Sequence, residues 1–101
     1  MRTTSTAKGR MAESYVKRLL ERQGYCYVIR SHASLTPIDI LASNGTEIVA
    51  VQVKQGGYVS QEARQKLVEW AVRFRAKPCV ALKQRGRWVT SEVVRSENVN
   101  I

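Results

Sequence analysis

The chain has little of several things that would decide its class. Among 101 residues there are two cysteines, two prolines, one phenylalanine and one histidine. Cys26 and Cys79 stand in apolar, strand-like contexts without CxxC spacing. That argues against a disulfide framework or a zinc site and predicts buried free thiols in a reducing cytosol. No apolar run exceeds about five residues, far below the roughly 18 needed to span a bilayer. The opening MRTTSTAKGR has no apolar stretch of the secretory kind, so a cytoplasmic location is expected. Internal repeats, low-complexity tracts and Pro/Gly-rich linkers are also missing, so residues 1–101 read as a single domain. Acids are scarce too: 8 Asp and Glu stand against 17 Lys and Arg, for a net charge of +9.

What is present is globular, with 44% hydrophobic and 25% charged residues. The basic excess is unevenly spread. Residues 1–22 carry six basic and two acidic side chains, and residues 64–95 carry nine and two. Residues 23–63 hold only Arg30 and Lys54 against Asp39, Glu47 and Glu62. Cationic flanks around a nearly neutral middle describe a field that attracts polyanions, with a merely solubilising surface as the alternative.

Hydrophobic periodicity predicts a helix over residues 7–23, capped by Ser5 or Thr6 and ended by Gly24, with Met11, Tyr15, Val16, Leu19 and Leu20 on its apolar stripe. Strands are expected at 25–31, 38–43 and 46–54, the last two joined by a type I′ turn at Asn44-Gly45. A second helix follows from the Ser60 cap to about residue 76, with Ala63, Leu67, Trp70, Ala71 and Phe74 inward. Strands at 79–83 and 88–94 flank the basic turn Gln84-Arg85-Gly86-Arg87. The order αβββαββ implies an α/β fold, a mixed sheet with helices packed on it.

Three polar residues interrupt apolar strands, where an unpaired polar group costs a few kcal/mol. Asp39 lies in IDIL, and Gln52 and Lys54 lie in VQVK. A two-residue turn would pair Asp39 with Ala50, placing Gln52 diagonally next to it and Lys54 beyond on the same face. Glu13 falls roughly 20° past Leu20 on the first helix, at the rim of the apolar stripe, with Arg10 and Lys17 on its polar side. Two carboxylates, an amide oxygen and an ammonium suit a hard divalent cation such as Mg²⁺, which takes oxygen ligands and few carboxylates. A lysine beside such a cation can orient water and stabilise charge developing on phosphorus. The plainer alternative is a structural Asp39–Lys54 pair.

Lys8-Gly9-x-x-Ala12-Glu13, Gly24-Tyr25, Val28-Ile29-Arg30-Ser31-x-Ala33-Ser34, Pro37-x-Asp39-Ile40 and Val51-Gln52-Val53-Lys54 together resemble the archaeal-type Holliday junction resolvases of the PD-(D/E)xK nuclease superfamily. The likeness covers residues 8–54 well, and the remainder agrees in element order. It implies a PD-(D/E)xK nuclease-like core and Mg²⁺, with Mn²⁺ as substitute, held by Glu13, Asp39 and Gln52. It further implies Lys54 as catalytic lysine, Ser34 as a mobile-loop serine important for cleavage, and Arg30 against DNA near the site. Gln52 stands where the family usually has Glu, and Ser14 where it has an arginine.

The expected activity is paired symmetric nicking of four-way DNA junctions by a homodimer, since a C2 pair presents two identical sites. Lys8, Arg10, Lys17, Arg30, Arg64, Arg73, Arg85 and Arg87 are the candidate DNA contacts, supported by Lys66, Arg75, Lys77 and Lys83. The alternatives are a less selective nuclease of the same superfamily and a non-catalytic DNA binder marked by Gln52. His32 reads as a solvated loop residue, Tyr58 as a stacking or packing residue, and Trp70 and Phe74 as core or dimer interface.

Overall fold

The computed structural model describes residues 5–31, 36–56 and 58–93, with side chains from residue 11 onward. Ser34, His32 and the side chains of Lys8 and Arg10 lie outside that set. The elements run α1 (Ser5–Arg22), β1 (Tyr27–Arg30), β2 (Ile40–Ser43), β3 (Ile48–Lys54), α2 (Gln61–Arg73), β4 (Lys77–Gln84) and β5 (Arg87–Glu92). The five strands form one sheet in the order β1-β2-β3-β4-β5. Every neighbouring pair is antiparallel except β3–β4, whose parallel pairing requires the crossover that α2 provides. The αβββαββ order and the mixed sheet are as the sequence implies. No helix among the described residues is long and apolar enough to cross a membrane.

Strand alternation divides the core into two layers. Ile40, Ala42, Val49, Val51 and Ala81 point to one face and pack under Val16 and Leu20 of α1. Ala50, Val80 and Leu82 point to the other and pack under Leu67 and Ala71 of α2. Among the described residues no polar or charged side chain is fully buried.

On α1 the buried line is Ala12, Val16 and Leu20, repeating every four residues, while Met11 and Tyr15 are 62% and 60% exposed. The expected stripe was thus rotated by about one position: the small Ala12 lets the helix sit close to the sheet, and the larger neighbours turn outward. Ser5 and Thr6 fall inside α1 instead of capping it. Phe74 is likewise about half exposed, whereas Trp70 packs partly against the core. Cys26 is exposed, contrary to expectation, because it precedes β1 at the end of the sheet. Cys79 is partly buried, and that burial, reinforced by Glu92, pushes its thiol up to about 11.

Both helices end in Schellman turns. On α1, Gly24 takes φ +100° while Tyr25 N–H donates to Leu20 O and Gly24 N–H to Glu21 O. On α2 the same position is held by Arg75 at φ +56°, with Ala76 N–H donating to Ala71 O and Arg75 N–H to Val72 O. A side chain in that conformation costs about 1 kcal/mol that glycine avoids. Arg75→Gly is therefore expected to raise the melting temperature by a few degrees, on the order of 4 °C, in circular-dichroism melts. An unchanged or lowered melting temperature would show that the arginine makes compensating contacts.

Candidate active site

The position of the site follows from how the strands run. β1 ends, β2 begins and β3 ends at the same edge of the sheet. That edge gathers Arg30, Asp39, Gln52 and Lys54. The start of α2, with the Ser60 cap accepting from Ala63 N–H, follows directly from β3. The β4–β5 turn lies at this edge too, since Lys54 pairs with Leu82 two residues before Gln84.

The connection between β2 and β3 differs from expectation. Asn44-Gly45 opens a four-residue loop, in which the Asn44 side-chain oxygen accepts from Thr46 N–H at 2.8 Å and from Glu47 N–H at 2.6 Å. Asn44 therefore supplies an acceptor for the turn instead of adopting positive φ; only Gly45 does so there, at +95°. Positive φ at both turn residues, the type I′ signature, occurs instead at Arg85-Gly86 between β4 and β5. The register then pairs Ser43 with Ile48 and Leu41 with Ala50. Continued by one residue it sets Asp39 directly opposite Gln52, not opposite Ala50. An even shift preserves the faces, so the polar residues still come together, and more closely than expected.

Asp39 sits just before β2, held by backbone bonds on both sides: its N–H donates to Val51 O at 2.8 Å and its carbonyl accepts from Ser31 N–H at 2.9 Å. Its carboxylate Oδ2 accepts from Val53 N–H at 2.8 Å. Burial raises the Asp39 pKa most, and the charge of Glu13 raises it further; the Val53 bond and the Lys54 ammonium pull the other way. Glu13 and Lys54 are thus both within electrostatic reach of this carboxylate. Gln52 and Lys54 alternate onto the face that α2 covers, while Glu13 comes from α1 on the opposite face. The two carboxylates therefore approach each other around the end of the sheet, not across one face.

Arg30 has a place the sequence did not suggest. Its Nη2 lies 3.3 Å from Glu13 Oε1, with the two side chains 25% and 18% exposed, and its Nη1 donates to Ser14 Oγ at 3.4 Å. Ser14 thus serves as an acceptor for Arg30. The available signal was that Arg30 and Lys54 are the only cations in the neutral middle of the chain. The Val53 N–H carries no sequence signal at all.

Gln52 Oε1 is buried and has no hydrogen-bond partner among the described residues. Such an atom ordinarily finds a donor, a water or a cation. Together with the Glu13 and Asp39 carboxylates it would make an all-oxygen donor set of two carboxylates and one amide, the kind that suits a hard divalent cation. Among the described residues no group of three His, Cys, Asp or Glu side chains is placed to hold a metal ion.

The candidate DNA-contacting cations separate into two groups. Arg30, Arg64, Arg85 and Arg87 belong to the edge that carries the site, Arg64 with its Nε donating to Val59 O at 3.1 Å. Arg73 closes α2 and lies toward the opposite edge, where Lys77 is 3.5 Å from Glu47 and Tyr25 OH donates to Glu47 at 3.2 Å. Lys17 turns along α1 toward Glu21, 3.8 Å away. The structure thus does not bring Arg73 or Lys77 together with the site, and Lys17 is engaged on its own helix.

This arrangement matches known proteins. The solved structure of Archaeoglobus fulgidus Hjc, a Holliday junction resolvase from an archaeal hyperthermophile, aligns with a TM-score of 0.69 and 32% identity over 89% of this chain and 79% of that one. The chain therefore has the mixed-sheet, α/β nuclease-like fold of that structure. The crossover junction endodeoxyribonuclease Hjc of Methanocaldococcus jannaschii is 34% identical over 83 residues, covering 78% of this chain and 61% of that protein. The chain thus spans about three fifths of the length of that curated relative. Residues 4–100 match the family described as archaeal Holliday junction resolvase (hjc), and the chain belongs to that family.

Proposed function

We propose that this protein is a metal-dependent DNA endonuclease that resolves four-way junctions by paired symmetric nicks. The observation that carries this reading is the Asp39 carboxylate: half-buried, under the influence of both Glu13 and Lys54, and set opposite Gln52, whose oxygen has no partner among the described residues. Family membership supplies the substrate class, because the relatives are named for junction resolution.

Glu13, Asp39 and the Gln52 amide oxygen would hold Mg²⁺, or Mn²⁺ in its place; when bound, the ion supplies Lewis-acid polarisation of the phosphate and a more acidic water. The chain's own residues do the rest. Lys54 orients the attacking water and stabilises negative charge building on phosphorus. Val53 N–H fixes the Asp39 rotamer. Arg30, and the Lys83, Arg85 and Arg87 side chains of the β4–β5 turn, grip phosphates beside the scissile bond; such contacts position a duplex without reading its sequence. The family resemblance also gives Ser34 a part in cleavage. A homodimer would present two such sites to the two strands that must be cut, and the reading includes a cytoplasmic location, that of the host cell if the protein is viral.

A second reading has one observation in its favour: the neutral Gln52 would suit a DNA-binding relative that has lost cleavage. A synthetic four-way junction in Mg²⁺ separates these readings. Symmetric nicks on opposing strands, with linear duplex cut far more slowly, are expected. Comparable cleavage of both substrates would indicate a less selective nuclease. Tight junction binding with no nicks in Mg²⁺ or Mn²⁺ would leave only the binder.

A further inference from the structure

We propose that this site is poor in negative charge before any cation arrives, so that a divalent ion is held only together with a DNA phosphate, and that Gln52 and Arg30 impose that dependence. The inference rests on the metal-centre reading above and adds an order to it.

The charges can be counted on the structure. Glu13 is matched by Arg30 at 3.3 Å, and the exposed Lys54 ammonium stands within electrostatic reach of Asp39 without pairing to it. The third oxygen donor, Gln52 Oε1, contributes a dipole but no charge. A dication entering this set finds little net negative charge to offset its own, since Glu13 is already paired and Gln52 is neutral, and cation affinity at oxygen sites falls as the ligand charge count falls. It must also compete with a guanidinium for Glu13, and one oxygen of Asp39 is already committed to Val53 N–H.

A phosphodiester changes both terms. It brings the missing negative charge, and it offers Arg30 another anion, one that a planar guanidinium can meet with paired hydrogen bonds. Arg30 can then exchange Glu13 for phosphate, and Glu13 becomes free to act as a cation ligand. Coupling of this kind is reciprocal: the factor by which DNA tightens the cation is the factor by which the cation tightens DNA. The substitution at position 52 thereby becomes a device that keeps the protein from holding a reactive ion in the absence of substrate. Arg30 is a positioning residue here, acting on the cation through Glu13.

The test measures Mn²⁺ binding by the loss of the free-ion electron paramagnetic resonance signal. It uses full-length protein at 4 °C, alone and with a four-way junction whose phosphorothioate linkages keep the charge and slow hydrolysis. The wild type is expected to bind Mn²⁺ at least about tenfold more tightly with the junction, within the usual range of site-to-site coupling. Gln52→Glu is expected to raise the affinity of the free protein by about tenfold or more and to shrink the effect of the junction. Arg30→Gln serves as a second variant should the added buried carboxylate unfold the first. It is expected to raise free-protein Mn²⁺ affinity while weakening junction binding, a pair of opposed shifts that a purely structural role would not give. Equal Mn²⁺ affinity with and without junction, or a Gln52→Glu protein that folds and binds the free ion no better, would overturn the inference while leaving the metal centre standing. No Mn²⁺ bound by any of the three proteins, even on the junction, would overturn both.

Discussion

Asp39→Asn is expected to lower junction cleavage by at least about 10²–10³-fold, the scale of losing one preorganised electrostatic group, while making the metal-free protein more heat-stable at neutral pH. The two effects share one cause. Burial, and then the Glu13 charge, raise the Asp39 pKa from its ordinary 3.8, so the native state binds this proton more tightly than the unfolded chain does. Native stability contributed by Asp39 is therefore lost as pH rises from the unfolded value through the folded one, and the full penalty is present above it. Asparagine keeps the acceptor for Val53 N–H and removes the charge. The gain in melting temperature, measured in EDTA, should vanish below about pH 4, where the carboxyl is protonated in both states, and grow as pH rises above it. A gain of equal size across the pH range would refute the electrostatic account, and near-normal cleavage would remove Asp39 from the machinery.

Leu67→Ala carries the largest expected effect on stability. Leu67 is fully buried on the inner side of α2, packed with Ala50, Val80 and Leu82 of the sheet and Ala71 of its own helix. Truncation removes transfer energy and leaves a cavity that the rigid sheet cannot collapse into, costing about 2–5 kcal/mol. In a domain of this size that corresponds to a melting temperature lower by roughly 10–20 °C. Phe74→Ala, one residue past the same helix and half exposed, is the comparison and is expected to cost less than about 1 kcal/mol. Equal losses from the two substitutions would mean that α2 is not anchored through Leu67. Because Leu67 contributes no polar group to the site, the Leu67→Ala protein should still nick junctions well below its melting temperature.

Much of the architecture was legible because it rests on short-range pattern. The 3.6-residue period marked both helices, Ser60 and Gly24 marked where one begins and the other ends, and the apolar runs marked the strands. Errors arose where one residue's chemistry could serve two geometries. Asn44 suits a type I′ turn as well as a side-chain-capped loop, and only the packing of β2 on β3 selects the longer loop and the Asp39–Gln52 pairing. Met11 and Tyr15 looked like core by period, yet the close approach of α1 to the sheet favours Ala12 on the inner line.

The candidate site divides the same way. Polar residues in apolar strands made Asp39, Gln52 and Lys54 conspicuous, and helix geometry put Glu13 at a rim. That much the order of residues determined by itself, since burying a polar group demands a reason wherever it occurs. Only the tertiary structure decided that Arg30 reaches Glu13, that Val53 N–H holds Asp39, that Gln52 Oε1 finds no partner among the described residues, and that Arg73 belongs to the far edge. The first two are relations between groups 17 and 14 residues apart in the chain, fixed by how α1 and the strands meet at the end of the sheet. Local sequence sets which side chains exist and which way each strand alternates; the distance between two of them depends on every element packed between.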